Sequence, residues 1–190
     1  MPGDSGPLLD RAQIIGLLDL MADEARRRGV RIDLFLVGGG AMALAYNTAR
    51  STRDLDGVFE PKIVVYEIAA AVAHLSELDL AEDWLNDGVK GFLPGPDSSA
   101  SLFYERDSLS VRIASPRYLF VLKAMSGRES DEDDLRTLYP LCGFASPTEA
   151  LDTIETAYPT RRISPSVQYV VEGIAGAFDG AGSPNNDPWA

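Results

Sequence analysis

Three consecutive glycines, Gly38 to Gly40, follow an apolar run and precede the acidic pair Asp54 and Asp56. The stretch from residue 36 to 61, LVGGGAMALAYNTARSTRDLDGVFEP, predicts a strand, a glycine turn, a short helix and a second strand. Because residues i and i+2 of a strand point to the same face, the two carboxylates project together and repel each other. Mg²⁺, which takes one or two carboxylates plus phosphate oxygens, relieves such repulsion. Since the N–H groups of a glycine turn at a helix N-terminus favour an anion, the stretch predicts a site for a phosphate and a metal.

The composition is that of a globular chain. Its 190 residues are 45% hydrophobic, which suits one domain with a core, or a domain with a small helical addition. No apolar run approaches the ~18 residues that span a bilayer, the first residues lack a leader pattern, and Cys142 has no second cysteine to pair with. We therefore expect a cytoplasmic protein with no membrane partner. The net charge of −12 argues against a non-specific nucleic-acid coat protein, but it does not exclude a nucleic-acid substrate held at a local patch.

Apolar periodicity predicts the elements of the first half of the chain. Residues 7–28 predict an amphipathic helix that ends at Gly29, residues 31–37 a buried strand, and residues 54–59 a second strand. The segment after Pro61 begins with β-branched residues, which fit helix or strand, and continues with alanines, which fit a helix. Residues 101–115 predict a hairpin.

Serine–proline pairs mark the helices of the second half. Ser115, Ser146 and Ser164 each precede a proline, the pattern of an N-cap and the first helical residue. We predict an α/β (α+β) fold with a small mixed sheet flanked by helices in residues 1–115. A C-terminal helical part in residues 116–178 is expected to complete the active site, and residues 179–190 are expected to be disordered.

Two common phosphate-binding motifs do not match the glycine turn. GGGAMALA lacks the Gly-Lys-Ser/Thr ending of a Walker A loop, and its glycine spacing is not that of a dinucleotide-binding turn. The order of strand, Gly-Gly turn, helix and Asp-x-Asp resembles instead the nucleotidyltransferase superfamily, with its DNA polymerase beta-like fold. Three stretches, ARSTRDLD, WLNDGVKGFLP and SPRYLFVLKAMSGRESDEDDLRTL, further resemble minimal nucleotidyltransferase toxins of the AbiEii and MenT kind, over residues 31–140.

The resemblance implies roles for the matching residues. Asp54, Asp56, Lys123 and Asp134 would be catalytic, and the first two would hold Mg²⁺, or Mn²⁺ in its place. Thr52 stands where these toxins have a Ser or Thr that a kinase-like antitoxin phosphorylates, and a phosphate there would repel the nucleotide. The implied nucleotide-binding residues are Gly39, Gly40, Thr52, Arg53 and Lys123.

Two positions depart from the family's pattern. Asp131 and Asp134 match an Arg-Asp-x-x-Asp stretch, but Ser130 stands in place of the arginine. Many nucleotidyltransferases also carry a third carboxylate on a later strand, where this chain has Arg112. The catalytic base would then be Asp134, Asp87 or a water, and the sequence does not choose among them.

Ordinary structural roles compete with the functional ones. Asp54 and Asp56 alone would fit a solvated strand end, and Lys123, within FVLKAM, would fit a lysine that reaches solvent. Acidic residues near Asp131 would stabilise a helix N-terminus, and Trp84 is expected to pack in the core. The remaining polar candidates are Asn86, Asp87 and Lys90 in a turn, His74 at the core edge, Arg161 and Arg162 before the last helix, and a basic patch of Arg50, Arg53, Arg117 and Arg128.

The leading hypothesis is a Mg²⁺-dependent nucleotidyltransferase toxin. Resemblance to the MenT toxins implies that it adds NMP from an NTP to the 3′ end of tRNA, so that the tRNA cannot be charged and translation stops. The same resemblance implies a cognate antitoxin protein, for which a kinase-like protein is one candidate. Two alternatives stay open: NMP transfer to a protein or small-molecule hydroxyl, and a non-catalytic partner-binding protein of the same fold.

Overall fold

A five-stranded mixed sheet is the frame of the N-terminal half. Its strands lie in the order β3-β2-β1-β5-β4. β1 is parallel to β5 and β2 is parallel to β3, while the β1–β2 and β4–β5 pairs are antiparallel. The bounds are β1 (Ile32–Leu36), β2 (Leu55–Glu60), β3 (Leu85–Asn86), β4 (Ser101–Arg106) and β5 (Leu109–Ile113). The predicted mixed sheet and the predicted hairpin are therefore confirmed.

The computed structural model describes residues 6–181 of the chain. It divides into two compact units, Met1–Ser115 and Pro116–Ala190. The first unit contains the sheet with helices α1 (Arg11–Arg28), α2 (Gly38–Ala41) and α3 (Lys62–Leu75). Within the described residues, no helix is long and apolar enough to cross a membrane.

The two faces of the sheet differ in burial. Ile32, Leu34 and Leu36 of β1 are buried, as are Leu55, Phe59 and the alternate residues of β5. Helices α1 and α3 pack together and contact the sheet strands. The residues between these buried positions are half-buried or exposed, because successive side chains of a strand point to opposite faces. We call this second side the open face; it carries Asp33, Phe35, Asp56, Val58, Asn86, Ser110 and Arg112.

Helix α1 begins later than predicted. The helix was expected to start at residue 7, but its N-cap is Asp10. The Asp10 carboxylate accepts the Gln13 N–H at 2.8 Å, and Gln13 Oε1 accepts the Asp10 N–H at 2.9 Å. This reciprocal capping box fixes the helix start. The residue before it, Leu9, exchanges two backbone hydrogen bonds with Thr52, at 2.6 and 3.0 Å, so this segment is extended. At the other end Gly29 has φ of 67° and terminates the helix as predicted.

The ambiguous segment after Pro61 is helical from its first residues. In α3 the buried residues Val65, Ile68, Ala69 and Val72 follow the three- and four-residue spacing of one helix face. Tertiary packing of that face outweighs the β-branched start. Trp84 is fully buried and donates its indole N–H to Ala69 O at 3.0 Å, which confirms its packing role.

The long elements of the second unit are all α-helices. These are α4 (Pro116–Ser126), α5 (Glu132–Cys142), α6 (Pro147–Ala157) and α7 (Pro165–Ala181). The predicted serine caps are confirmed at two of them, because Ser146 Oγ accepts the Glu149 N–H at 3.1 Å and Ser164 Oγ accepts the Val167 N–H at 3.3 Å. The tail was predicted from residue 179; α7 continues to Ala181, and residues 182–190 lie outside the described residues.

Candidate functional site

The three glycines form the first turn of a helix rather than a break before it. Helix α2 starts at Gly38 and continues as a π-helical turn over Met42–Tyr46. Gly38 has φ of 62°, a conformation that favours glycine. A β-carbon at Gly38 would lie 3.0 Å from Asp56 Oδ2, and one at Gly40 would lie 2.5 Å from Leu55 Cδ2. The absence of side chains therefore lets the turn lie directly against the acidic strand β2.

The acidic pair lies at the beginning of β2. Asp54 is exposed and immediately precedes the strand, whereas Asp56 is a half-buried strand residue on the open face. The Asp56 carbonyl accepts the Val37 N–H at 2.9 Å, which ties the acidic strand to the residue before the glycine turn. The structure thus brings Asp56 and the glycine turn together, whereas a phosphate and metal site at this place stays a prediction.

The carboxylates fit the donor set of a hard divalent cation. Asp54 and Asp56 are accessible to solvent, and Mg²⁺ needs only one or two carboxylates when phosphate oxygens and waters complete its shell. Among residues 6–181, no group of three or more His, Cys, Asp or Glu side chains is arranged to hold a metal ion. Two carboxylates suit a cation whose other ligands are phosphate oxygens and waters.

Thr52 and Arg53 are held by the N-terminal segment. Thr52 is 8% exposed, its backbone pairs with Leu9, and its Oγ1 donates to the Asp54 carbonyl at 3.0 Å. Arg53 is exposed, and its Nη1 donates to the Gly6 carbonyl at 2.7 Å. A kinase that modifies Thr52 would have to open these contacts, because the hydroxyl lies beneath the surface between Gly39 and Asp54.

Replacing Gly39 by alanine tests the close approach of the glycine turn to Thr52. A β-carbon at Gly39 would lie 2.6 Å from Thr52 Oγ1, so we expect a loss of about 1–3 kcal/mol in the free energy of unfolding. In a Thr52→Ala background, which lacks Oγ1, the same replacement should cost about 1 kcal/mol less. Urea unfolding of the four proteins measures this coupling. An equal cost in both backgrounds would contradict the contact.

Lys123 lies in the second unit and is buried. Its Nζ lies 2.7 Å from Asp131 Oδ1 and 2.6 Å from Asp134 Oδ2, and we call these three residues the Lys123 cluster. Lys123 is 7% exposed and Asp134 is fully buried, so the alternative of a lysine that reaches solvent is wrong. Ser126 Oγ also donates to Asp131, at 2.6 Å. The aspartates of the sequence D-x-x-D are thus the ion partners of Lys123.

The pKa of Asp131 is set by opposing effects. Burial alone would raise it, but hydrogen bonds from Lys123 and Ser126 lower the pKa of this carboxyl below its ordinary value. The folded protein therefore binds fewer protons here than the unfolded chain does. The resulting stabilisation is complete above the ordinary aspartate pKa of about 4 and is lost as pH falls through the lower folded value.

An Asp131→Asn variant makes this pH dependence measurable. We expect the variant to be less stable than the unaltered protein at pH 6, and the difference to shrink as pH falls towards 3, because the unfolded chain then binds a proton at Asp131 more readily than the folded protein does. Urea unfolding of both proteins at several pH values gives the two curves. A difference that stays constant down to pH 3 would show that the pKa of Asp131 is not lowered in the folded protein.

Asp87 is occupied by neighbouring side chains of the first unit. Its carboxylate accepts the Tyr66 hydroxyl at 2.6 Å and lies 2.5 Å from Lys62 Nζ. These bonds, first that from Lys62 and then that from Tyr66, lower the pKa of Asp87. A carboxylate with a lowered pKa is a weak proton acceptor, which counts against Asp87 as a general base.

The remaining basic candidates have local contacts within their own units. Arg112 is on the open face and donates to the Ala100 carbonyl at 2.6 Å, whereas Arg117, in the other unit, donates to the Cys142 carbonyl at 2.7 Å. Arg161 and Arg162 line a surface cavity of about 650 Å³ that also contains Glu155. The other candidates are Arg50, which is half-buried, and Arg128, Lys90 and His74, which are exposed.

Two features of the site are missing from the sequence interpretation. The first feature is that Gly38 lies against Asp56, whereas the sequence predicts this role for Gly39 and Gly40. In a run of three glycines, nothing in the sequence shows which one has a positive φ. The ion pairs of Lys123 are the second feature. Asp131 and Asp134 follow Lys123 by 8 and 11 residues, and this spacing is the sequence signal for the pairing.

The chain is similar to one protein family in sequence and to a solved structure in fold. A family model described as "Nucleotidyltransferase of unknown function (DUF6036)" matches residues 15–139, a range that includes the glycine turn, the acidic pair and the Lys123 cluster. No curated protein matches the chain significantly in sequence. Among solved structures, the chain is similar to an antigenic nucleotidyltransferase-like protein from Paracoccidioides brasiliensis, with 15% identity, a TM-score of 0.48, and coverage of 87% of this chain and 95% of that one.

Proposed function

Since the chain belongs to the nucleotidyltransferase family DUF6036, whose model matches residues 15–139, we propose that it transfers NMP from an NTP to a hydroxyl group in a Mg²⁺-dependent reaction. Family membership makes the chain a nucleotidyltransferase in general terms. The metal, the acceptor and the biological role below are parts of the proposal.

One observation carries the proposal: the glycine turn lies directly against the acidic strand. A β-carbon at Gly38 would lie 3.0 Å from Asp56 Oδ2, so only a turn without side chains fits there. Backbone N–H groups and carboxylates at such close range serve a ligand that is anionic and metal-bound at once. An NTP with Mg²⁺ has this chemistry.

The proposed reaction assigns a role to each residue of the site. The N–H groups at Gly39 and Gly40 bind the triphosphate, and Arg53 offsets charge on the leaving pyrophosphate. Asp54 and Asp56 hold the metal. Bound Mg²⁺ supplies Lewis-acid stabilisation of the charge that develops on the phosphates. The acceptor hydroxyl attacks the α-phosphorus, the bond to the bridging oxygen breaks, and pyrophosphate leaves with its electron pair.

Lys123 and Asp134 have conditional roles in this scheme. A triphosphate contact by Lys123 or proton removal by Asp134 requires the 2.6 Å ion pair between them to open. While it is closed, two carboxylates surround one ammonium group, and the Lys123 cluster as a whole carries negative charge. A water is then the remaining candidate for the base.

The acceptor and the biological role rest on the resemblance to the AbiEii and MenT toxins. We propose the 3′ end of tRNA as the acceptor, so that modified tRNA is not aminoacylated and cytoplasmic translation stops. The net charge of −12 disfavours broad RNA binding, but a tRNA end needs only local contacts. A cognate antitoxin, with a kinase-like protein that phosphorylates Thr52 as one candidate, would restrain the toxin.

A labelling assay tests the proposal. The purified protein is incubated with Mg²⁺, each α-labelled NTP in turn, and total tRNA, with Asp54→Ala as the inactive control. We expect one NTP to label tRNA, and the variant to label nothing. A labelled protein band with unlabelled tRNA would support NMP transfer but show that the acceptor is a protein rather than tRNA. No labelling of tRNA, protein or small-molecule hydroxyls would favour a non-catalytic partner-binding protein.

A further inference from the structure

Asn86 lies beside Asp56 in the sheet. Strands β2 and β3 are parallel, and Asp56 pairs in register with Asn86 just as Leu55 pairs with Leu85. The two leucines are fully buried, whereas Asp56 and Asn86 are half-buried. Because residues paired in register point to the same face, the carboxamide of Asn86 shares the open face with the Asp56 carboxylate.

The amide group of Asn86 has a defined orientation. Its Oδ1 accepts the Gly88 N–H at 3.0 Å, a local turn that asparagine commonly forms. Within residues 6–181, its Nδ2 donates to no protein group, and an amide nitrogen has two N–H donors. The next residue, Asp87, is bound to Tyr66 and Lys62 instead. Asn86 therefore presents hydrogen-bond donors at the open face.

Asn86 and the glycine turn flank Asp56 on opposite sides. The glycine turn follows β1, Asn86 belongs to β3, and β2 lies between these strands. A nucleotide with its phosphates at the glycine turn and its metal at Asp56 would have its nucleoside end beside Asn86 in the orientation that crosses β2 towards β3.

We propose that Asn86 is a nucleotide-binding residue whose Nδ2 donates a hydrogen bond to a sugar hydroxyl oxygen of the NTP. This inference rests on the proposed function and extends it to the part of the substrate that the glycines and aspartates do not contact. A neutral amide donor suits a neutral sugar oxygen, whereas the phosphates are matched by backbone N–H groups and the metal. Asn86 would therefore distinguish a nucleotide from an inorganic polyphosphate.

The test compares two ligands that differ by the nucleoside. Titration calorimetry measures the Kd of the full-length protein for each of the four NTPs and for inorganic tripolyphosphate, all with Mg²⁺. The variant Asn86→Ala removes the donor, and Asn86→Asp removes it while keeping an acceptor for Gly88. Ser110→Ala is the matched control, because Ser110 is half-buried on the same face but on β5.

We expect both Asn86 variants to lower the preference for the best-bound NTP over tripolyphosphate by about tenfold, the effect of one hydrogen bond. The ratio of the two affinities corrects for the charge that aspartate adds. The Ser110 variant should leave the ratio unchanged. An unchanged ratio in both Asn86 variants would overturn this inference alone. Failure of the unaltered protein to bind any NTP would overturn the proposed function and this inference with it.

Discussion

Replacing Asp56 by asparagine is expected to lower NMP transfer by about 10³-fold or more, because the metal loses a charged ligand in the transition state. Asp56 is half-buried, and its Oδ2 is the carboxylate oxygen that faces Gly38. Asparagine keeps the size of the side chain, so the fold and the glycine turn should be retained. Initial labelling rates measure the loss of transfer, and circular dichroism checks that the fold is retained.

Asp33→Asn is the matched control for this prediction. Asp33 is an exposed residue of β1 on the same open face, and it pairs in register with Glu60 near the far end of β2. We expect its variant to retain the transfer rate within about twofold, as is usual for surface changes away from a site. An Asp56→Asn variant with full activity would show that the acidic pair does not hold the catalytic metal. Equal loss in both variants would point to a general effect of charge on the open face.

Replacing Lys123 by methionine is expected to destabilise the protein by about 3–5 kcal/mol, because two buried carboxylates lose their shared cation. Asp134 is fully buried and Asp131 is 7% exposed, so water cannot take over the role of the ammonium group. Methionine preserves most of the volume and the apolar contacts of the side chain, which isolates the effect of the charge. The measurement is urea unfolding followed by circular dichroism.

Two further variants separate a missing charge from poor packing. The triple variant Lys123→Met, Asp131→Asn, Asp134→Asn removes all three charges, and we expect it to recover most of the lost stability. Lys62→Met breaks a comparable pair with Asp87, but the Lys62 side chain is 51% exposed, so the loss should be much smaller. A Lys123→Met protein as stable as the unaltered one would contradict the ion-pair geometry of the Lys123 cluster.

Local patterns in the sequence were sufficient for much of the fold. The glycine turn, the strand with Asp56 and the hairpin depend on residues close to one another in the chain, where turn chemistry and alternation act directly. The start of α1 was placed at residue 7 because apolar periodicity extends past the capping residue Asp10. The actual boundary depends on Leu9, whose backbone pairs with Thr52, and no local pattern reports such a distant partner.

The sequence predicts which residues are candidates for the site, but it predicts their positions relative to one another only in part. The spacing predicts Asp54, Asp56, Gly39 and Gly40 as candidates, whereas the approach of Gly38 to Asp56 depends on a backbone angle. The sequence does not predict the ion partners of Lys123, because burial of a lysine in an apolar helix depends on the helices around it. It places Asn86 only in a polar turn, since the position of Asn86 beside Asp56 requires the register of β2 and β3.

The pairing of Leu9 with Thr52 has a practical consequence for assays of this protein. The backbone around residues 6–9 adjoins Thr52 and Arg53, immediately before the first metal-ligand candidate, Asp54. An affinity tag or fusion partner at this end of the chain would therefore act on a segment that is hydrogen-bonded to the residues just before Asp54. Weak activity in a protein tagged at that end would reflect the tag as readily as the enzyme, and the tag should be removed before kinetic constants are compared.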